Sequence, residues 1–139
     1  MNESCVFCEI VARRRAASIV YEDDFTMAFL DLRQFHPGHT LVIPRRHLPD
    51  VRDLDEATGA AVMATVSRIS RAVAVAFQTQ GLSLWHSIGA AAFQEVPHLH
   101  IHVHPRTIGD DFLRIYPSTP PVPDEAERAA YAARLRAHL

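Results

Sequence analysis

Hydrophobic residues recur at three- and four-residue steps in two segments, which indicates amphipathic helices. The first helix is predicted over residues 4–14. The second is long and is predicted to run to about Gln78, with Gly81 as its stop signal. Asp53 is its predicted cap, and Glu56 three residues later completes a variant of the capping box. The predicted buried stripe of the long helix consists of Val62, Val66, Ile69, Val73 and Phe77.

Apolar and polar residues around the long helix follow a pattern that predicts five strands. An acidic turn, Asp23-Asp24, joins the first two strands, and turn chemistry at His36-Pro37-Gly38 precedes the third. The connections between the early strands are too short for crossover helices. We therefore predict an α+β fold with a mostly antiparallel sheet. The predicted strands are residues 18–22, 25–32, 39–43, 82–88 and 97–104.

The chain shows one principal domain followed by an extension. No internal repeat, low-complexity tract or linker divides residues 1–116, which predicts a single domain there. Four prolines lie between positions 117 and 123, where a C-terminal extension over residues 117–139 is predicted to begin. Asp124 can cap a terminal helix in this extension, since Ala and Arg dominate the residues that follow.

Composition excludes some classes of function. The chain has 139 residues, of which 48% are hydrophobic and 22% charged, as in an ordinary soluble globular protein. The formal net charge of -2 argues against a basic field that would hold nucleic acid. No stretch approaches the roughly 18 apolar residues of a membrane span, and the start lacks the features of a secretory signal. With only Cys5 and Cys8, we expect a cytoplasmic protein that keeps them as thiols or metal ligands.

Histidine is the unusual residue, because four of the nine lie within seven positions of the last predicted strand. Strand side chains alternate between faces, so these four share one face and Leu99, Ile101 and Val103 share the other. Neutral imidazoles each need a partner and charged ones repel, which makes a purely structural face unexpected. Such a face can surround a phosphate-sized group, and a zinc site is the main alternative. The four are His98, His100, His102 and His104.

The segment QEVPHLHIHVHPR at 94–106 resembles the signature of the histidine triad (HIT) superfamily, His-φ-His-φ-His-φ-φ with φ apolar. Residues 37–44, PGHTLVIP, resemble the family's second marker. The opening CVFCEIV at 5–11 resembles a third, and the segments 20–23 and 28–31 follow it in the family's order. The resemblance implies the HIT fold: a five-stranded, mostly antiparallel sheet with two helices, joined to a second sheet across a homodimer.

The resemblance also implies a nucleotide hydrolase that cleaves purine nucleoside phosphoramidates or dinucleoside polyphosphates and releases a nucleoside monophosphate. His100 would attack the α-phosphorus and form a covalent nucleotidyl-histidine, which water then cleaves. A backbone carbonyl would fix its tautomer. His102 would donate to the phosphate oxygens or the leaving group, and His39 would join from the neighbouring strand. Gln94 would hold a bridging oxygen or the surroundings of the nucleophile.

Nucleotide-binding positions carry over in the same way. The Asp31 carboxylate can accept both ribose hydroxyls. Ser87 stands where the family usually has Asn but can still donate one hydrogen bond, and Phe93 stands where it usually has Gly. His104 occupies a slot that is normally apolar, and Leu99 instead of Pro argues against the nucleotidyltransferase branch. The positions that match the base clamp, although ordinary core packing would explain them equally, are Phe7, Ile10, Phe29 and Leu32.

Cys5-x-x-Cys8 by itself is half a zinc site or a redox pair. Many bacterial HIT proteins bind a structural zinc. Its ligands are two such cysteines, a histidine that follows a turn rich in proline and basic residues, and the first triad histidine. The matching residues are Cys5, Cys8, His47 and His98, which would form a closed tetrahedral site and pin the N-terminal helix to the sheet. The alternative is a pair of free thiols, with His47 on a surface turn.

Two other functions remain open. The first is a nucleotide-binding module with little catalysis, motivated by Ser87 and Phe93. The second is a zinc-dependent hydrolase that uses three triad histidines as metal ligands, namely His98, His100 and His102. The remaining histidines, expected to be structural or solvated, are His36, His86 and His138.

Overall fold

The structure, a computed structural model, describes residues 5–113 and 115–139. The chain divides into two compact units, Met1–Gly109 and Asp110–Leu139. The first unit therefore ends earlier than the boundary after residue 116 that the sequence predicted. The second unit contains the predicted terminal helix, which Asp124 caps by accepting a hydrogen bond from the Glu127 N–H at 2.8 Å.

The described residues form three α-helices, one more than the resemblance implied. They are α1 (Val6–Val11), α2 (Glu56–Ala76) and α3 (Glu125–Arg136). The five strands are β1 (Ile19–Glu22), β2 (Thr26–Leu30), β3 (Thr40–Pro44), β4 (Gly81–Trp85) and β5 (Ile101–Arg106).

The five strands form one sheet in the order β1-β2-β3-β5-β4, and every neighbouring pair is antiparallel. This confirms the α+β class and the antiparallel sheet. β5 lies between β3 and β4 in the sheet. Along the chain, α2 and β4 come between β3 and β5.

Alternation along the central strands sends side chains to both faces of the sheet. One face packs against α1, and the other packs against α2. The α1 cluster consists of Cys5, Phe7, Cys8, Ile10, Met27, Phe29, Leu41 and Ile43. The α2 cluster consists of Ala28, Val42, Val62, Val66, Ile69, Val73 and Val103.

The start of α2 differs from the prediction. Asp55, and not Asp53, caps the helix, because its carboxylate accepts the Thr58 N–H at 2.9 Å. Asp53 ends a short 3₁₀ turn that begins at Val51. That turn in turn has its own cap, Asp50.

The end of α2 also differs. Phe77 lies one residue past the helix and is 47% exposed, so the buried stripe ends at Val73. The helix stops where Gln78 takes a left-handed conformation with φ 47°, whereas Gly81 begins β4.

The length and hydropathy of α2 also suit a membrane-spanning helix, contrary to the expectation that no segment would. In the fold its apolar stripe packs against the sheet, as in the core helix of a globular domain.

The last strand begins later than predicted. β5 starts at Ile101, so His98 and His100 lie in the segment that leads into it. Its register places His102 opposite both Leu41 of β3 and Trp85 of β4. Opposed residues of antiparallel strands share a face. His102 therefore lies on the α1 face of the sheet.

Candidate functional site

His100 is held in one tautomer by the main chain. Its Nδ1 lies 2.6 Å from the carbonyl oxygen of His98, so Nδ1–H donates and Nε2 keeps its lone pair. The edge of the Phe7 ring packs against the imidazole, with centroids 5.2 Å apart. Burial is the main reason that the pKa of His100 falls below its ordinary value of 6.5. The neutral ring thus combines a fixed tautomer with an available nitrogen.

His102 lies beside His100, with ring centroids 5.1 Å apart. Its Nδ1 is 2.9 Å from Nε2 of His39, the residue just before β3, so one hydrogen bond joins the two rings. The indole of Trp85 stacks on the face of the His102 ring. Burial, followed by the neighbouring charges of His100 and His39, lowers the pKa of His102 to about 3. Burial likewise lowers the pKa of His39, against the opposing effect of Asp31.

Asp31 follows β2 directly and lies next to this pair of imidazoles. Its Oδ2 is 3.8 Å from His39 Nε2, and its N–H donates to the His39 carbonyl at 3.0 Å. Its Oδ1 accepts the N–H of Arg33 at 2.8 Å. The structure thus brings together four of the predicted residues, namely Asp31, His39, His100 and His102.

The four predicted zinc ligands also converge. Cys5 Sγ is 3.5 Å from His98 Nδ1, and Cys8 Sγ is 3.3 Å from His47 Nδ1 and 3.6 Å from His98 Nδ1. All four ligand atoms lie within 4.8 Å of one another. Burial raises the pKa of the Cys5 thiol, so a nearby cation would be needed to stabilise its thiolate.

The other ring nitrogen of His98 points away from the sulfurs. Its Nε2 lies 2.8 Å from the carbonyl oxygen of Pro44, so Nε2–H donates and Nδ1 is left as a ligand atom. This is the outer contact that metal-binding histidines usually make. Burial lowers the pKa of His98 to about 4, which keeps the ring neutral at neutral pH.

The residues of the predicted base clamp divide into two groups. Phe7, Ile10 and Phe29 are buried in the α1 cluster, with Phe7 and Phe29 in an edge-on contact 5.3 Å apart. Leu32 is 92% exposed and lies outside that cluster. The three buried residues pack in the core, and their part in binding the base stays a prediction.

Both ends of the Gln94 side-chain amide form hydrogen bonds with the main chain. Its Oε1 accepts the Gly89 N–H at 2.9 Å, and its Nε2 donates to the Pro49 carbonyl at 3.1 Å. A contact with a bridging oxygen of the substrate stays a prediction. Ser87 is partly buried in the segment after β4, and Phe93 is 87% exposed with φ 59° and ψ 37°.

Three contributors to the site were missed at the level of sequence. Trp85 stacks on His102, and His86 Nδ1–H donates to the His100 carbonyl at 3.0 Å. His36 Nδ1 lies 2.8 Å from Nε2 of the buried His104. His36 and His86 were expected to be structural or solvated, and only the adjacency of His86 to Trp85 hinted otherwise. His138 is exposed, as expected.

The triad histidines do not form one metal site. Within the described part of the chain, His98 belongs to the cluster with the cysteines, and His102 belongs to a second group with Asp31 and His39. His100 belongs to neither. This arrangement contradicts the alternative in which His98, His100 and His102 together bind a catalytic zinc.

Known sequences are similar to this chain over most of its length. Residues 12–108 match the family model described as HIT domain. Protein hit of Bacillus subtilis is 38% identical over 115 residues, which cover 82% of this chain and 79% of that protein. Adenylylsulfatase HINT3 of Arabidopsis thaliana is 35% identical over 106 residues, covering 76% of this chain and 54% of that protein.

Solved structures show the same relationship. A HIT family member from Bacillus subtilis superposes with a TM-score of 0.92 at 31% identity, covering 99% of this chain and 98% of that one. A Zn-bound histidine triad family protein from Mycobacterium smegmatis gives a TM-score of 0.73 at 40% identity, covering 97% and 98%.

Proposed function

Because the chain belongs to the histidine triad (HIT) family, we propose that it is a nucleotide-binding hydrolase whose nucleophile is His100. One observation carries the proposal: the 2.6 Å contact between His100 Nδ1 and the His98 carbonyl directs the lone pair to Nε2. Burial lowers the pKa of His100, so the ring is neutral and nucleophilic at neutral pH.

The reaction has two displacements at phosphorus. His100 Nε2 attacks the α-phosphorus of a purine nucleoside phosphoramidate or dinucleoside polyphosphate. The bond to the leaving group breaks; a leaving amine takes its proton from water, whereas a leaving phosphate departs as its anion. A water molecule then attacks the same phosphorus, breaks the phosphorus–nitrogen bond to His100 and releases the nucleoside monophosphate. When His39 Nε2–H donates to His102 Nδ1, the proton of His102 lies on Nε2, which donates a hydrogen bond to the leaving group.

Nucleotide binding uses the residues around this centre. Asp31 accepts hydrogen bonds from the ribose hydroxyls with Oδ2, because its Oδ1 already accepts the Arg33 N–H. Ser87 and Gln94, in the segment between β4 and β5, contact the phosphates, and the base packs against Leu32 and the apolar side chains of the α1 cluster. The Arabidopsis relative is named for adenylyl sulfate. That compound therefore joins the phosphoramidates and dinucleoside polyphosphates in the substrate panel.

We also propose a structural zinc at Cys5, Cys8, His47 and His98. A tetrahedral zinc with the usual Zn–S and Zn–N distances places sulfur and nitrogen ligands roughly 3.5 Å apart. The observed separations of 3.3, 3.5 and 3.6 Å fit that value without rearrangement. When bound, the ion would supply a positive charge for the thiolates and a cross-link between three segments of the chain. The His98 carbonyl, which holds His100, would be positioned through that cross-link.

A homodimer is proposed on the same family basis. β4 is an edge strand, because β5 is its only strand partner in the sheet order of the described chain. Its free edge can pair with a second copy and remove the exposed hydrogen-bonding groups. Light scattering after size exclusion should give twice the chain mass, and a monomer at micromolar concentration would contradict the assignment.

Trapping of the intermediate tests the central proposal. Protein mixed with adenosine 5′-phosphoramidate and quenched within a turnover should gain the mass of one adenylate. His100→Asn should lose this adduct, lower turnover by roughly 10³-fold or more and still bind adenosine monophosphate. His138→Asn, at an exposed position, is the matched control and should form the adduct normally. Tight binding of the monophosphate by the parent without adduct or turnover would instead support the nucleotide-binding module.

Chelation tests the metal assignment independently. Removal of zinc should lower the melting temperature of the parent, and added Zn²⁺ should restore it. Cys8→Ser should show the lower melting temperature without chelator and a much smaller response to Zn²⁺. A parent protein that contains no zinc after expression in zinc-supplemented medium, and does not take it up, would overturn the structural site.

A further inference from the structure

A second group of side chains that could hold a metal ion lies beside His100. Asp31, His39 and His102 each offer one ligand atom, and these atoms all lie within 4.8 Å of one another. We propose that the three side chains form an open site for a divalent transition metal of the zinc class, which competes with the nucleotide. The competition rests on the proposed function, because it requires the nucleotide to use the same residues.

The distances are close to those of a metal centre. Metal–nitrogen and metal–oxygen distances of about 2.0–2.2 Å place tetrahedral ligand atoms roughly 3.4 Å apart. His39 Nε2 and His102 Nδ1 are 2.9 Å apart, whereas Asp31 Oδ2 and His39 Nε2 are 3.8 Å apart. The two values bracket the required separation. An ion would replace the proton between the imidazoles and draw the carboxylate inward.

The three ligands are already oriented by their surroundings. The Asp31 N–H donates to the His39 carbonyl, and Asp31 Oδ1 accepts the Arg33 N–H, which leaves Oδ2 on the side of His39. Trp85 stacks on His102 and lies 5.5 Å from the His39 ring. Ligands held by such outer contacts lose little conformational freedom when they bind a metal. Small rotations of the rings and the carboxylate therefore suffice.

The donor set selects the kind of ion. Two imidazoles and one carboxylate suit zinc and its first-row neighbours, whereas magnesium and calcium prefer oxygen ligands alone. The site differs from the cysteine cluster in having three protein ligands instead of four. Its fourth position stays open to water. We therefore expect weaker and readily reversible binding there.

Occupation of this site has a defined consequence for the proposed reaction. An ion bound to Asp31 Oδ2 removes the acceptor for the ribose hydroxyls. Since the metal ion and the nucleotide exclude each other, the metal raises the apparent KM for the nucleotide. Linkage then requires that the nucleotide releases the metal.

Cobalt provides a test that does not depend on turnover. The protein is first given an equimolar amount of Zn²⁺ to fill the cysteine cluster, and Co²⁺ is then titrated while visible absorption is recorded. We expect weak d–d bands without thiolate charge transfer, and saturation at one additional ion per chain. Asp31→Asn and His39→Gln should each weaken this binding by about tenfold or more. Asp24→Asn, in an exposed turn, is the matched control and should bind cobalt like the parent.

Two results would overturn the site: cobalt bands that Asp31→Asn and His39→Gln leave unchanged in variants that melt normally, or no cobalt bound beyond the cysteine cluster. In the competition arm, adenosine monophosphate should release the additional cobalt and leave the first metal in place. Retention of cobalt in saturating monophosphate would overturn the competition. Absence of the adenylate adduct, with cobalt binding still dependent on Asp31, would instead contradict the proposed hydrolase and leave the metal site standing.

Discussion

The indole of Trp85 stacks on the imidazole of His102, with ring centroids 4.3 Å apart and an angle of 6° between the planes. The two residues are opposed partners of the β4–β5 ladder, so the sheet itself fixes their separation. At the edge of its ring, His102 Nδ1 forms a 2.9 Å hydrogen bond with His39 Nε2. One aromatic side chain thus holds the imidazole that lies next to the proposed nucleophile.

Replacement of Trp85 should therefore affect rate more than binding. We expect Trp85→Leu to lower kcat by roughly tenfold to a hundredfold, because a free His102 ring leaves the position required for leaving-group contact. KM should change much less, since Asp31 and the base-binding positions stay in place. Trp85→Phe keeps a stacking ring and should recover most of kcat. Equal kcat values for the Leu variant and the parent, from steady-state kinetics, would show that the stack does not position His102.

The acid limb of the pH profile should lie below pH 6.5. The nucleophile must be neutral, and burial lowers the pKa of His100 from 6.5. On acidification kcat/KM should therefore fall with a midpoint below pH 6.5, since kcat/KM reports ionisation of the free enzyme.

Phe7 provides the control for this prediction. Its ring edge lies against His100, so Phe7→Ala admits water beside the imidazole and should shift the acid limb upward, toward 6.5. The measurement is kcat/KM against pH for both proteins at constant ionic strength. A parent limb centred above 6.5, or a limb that Phe7→Ala moves downward, would contradict the assignment of burial as the cause.

The sheet could be predicted because short connections leave antiparallel pairing as the only solution for the early strands. Its helix caps were harder to predict. Asp53 and Asp55 are the same residue type two positions apart, and either could precede an apolar helix. The choice of Asp55 depends on the preceding 3₁₀ turn, where the carboxylate of Asp50 binds the backbone and guanidinium of Arg52. The competition between these two aspartates for the cap position leaves no periodic pattern in the sequence.

The candidate site, like the fold, could be predicted from the sequence only in part. Alternation correctly placed the triad histidines near one another, although the ladder begins only at Ile101. Trp85 and His86 could not be assigned from sequence, because their contacts with the triad depend on the β4–β5 register. Leu32 was matched to an apolar position, yet it is 92% exposed because it follows the end of β2. Residue type at a matched position therefore did not predict burial.

Gly38 should be intolerant of a side chain. Its φ is 105°, and a Cβ there would lie 2.6 Å from Cδ2 of Phe77. Gly38→Ala should lower the free energy of unfolding by about 1–3 kcal/mol, from backbone strain and the clash together. Gly38→Ala with Phe77→Ala removes only the clash, so it should cost less than the sum of the two single changes.

Gly59 is the matched control for this measurement. It lies within α2, where a Cβ would make an ordinary 3.9 Å contact with Leu54 Cδ1. Gly59→Ala should raise the free energy of unfolding by about 0.5–1 kcal/mol, since Ala is the better helix former. Urea denaturation of the variants checks both signs. Equal stabilities for Gly38→Ala and the parent would mean that the turn before His39 does not require glycine.

Phe93 is held in the left-handed region with φ 59° and ψ 37°, and its side chain is 87% exposed. Little burial offsets the steric cost of its Cβ. Phe93→Ala and Phe93→Gly both remove the ring and differ only in that Cβ. The Gly variant should therefore be the more stable of the two by about 1 kcal/mol. Ala92→Gly, in the adjoining 3₁₀ turn, is the control and should lose stability, because there glycine adds only flexibility to the unfolded chain. If urea midpoints show the Phe93→Ala variant to be as stable as Phe93→Gly, the segment between β4 and β5 does not impose a left-handed backbone at this position.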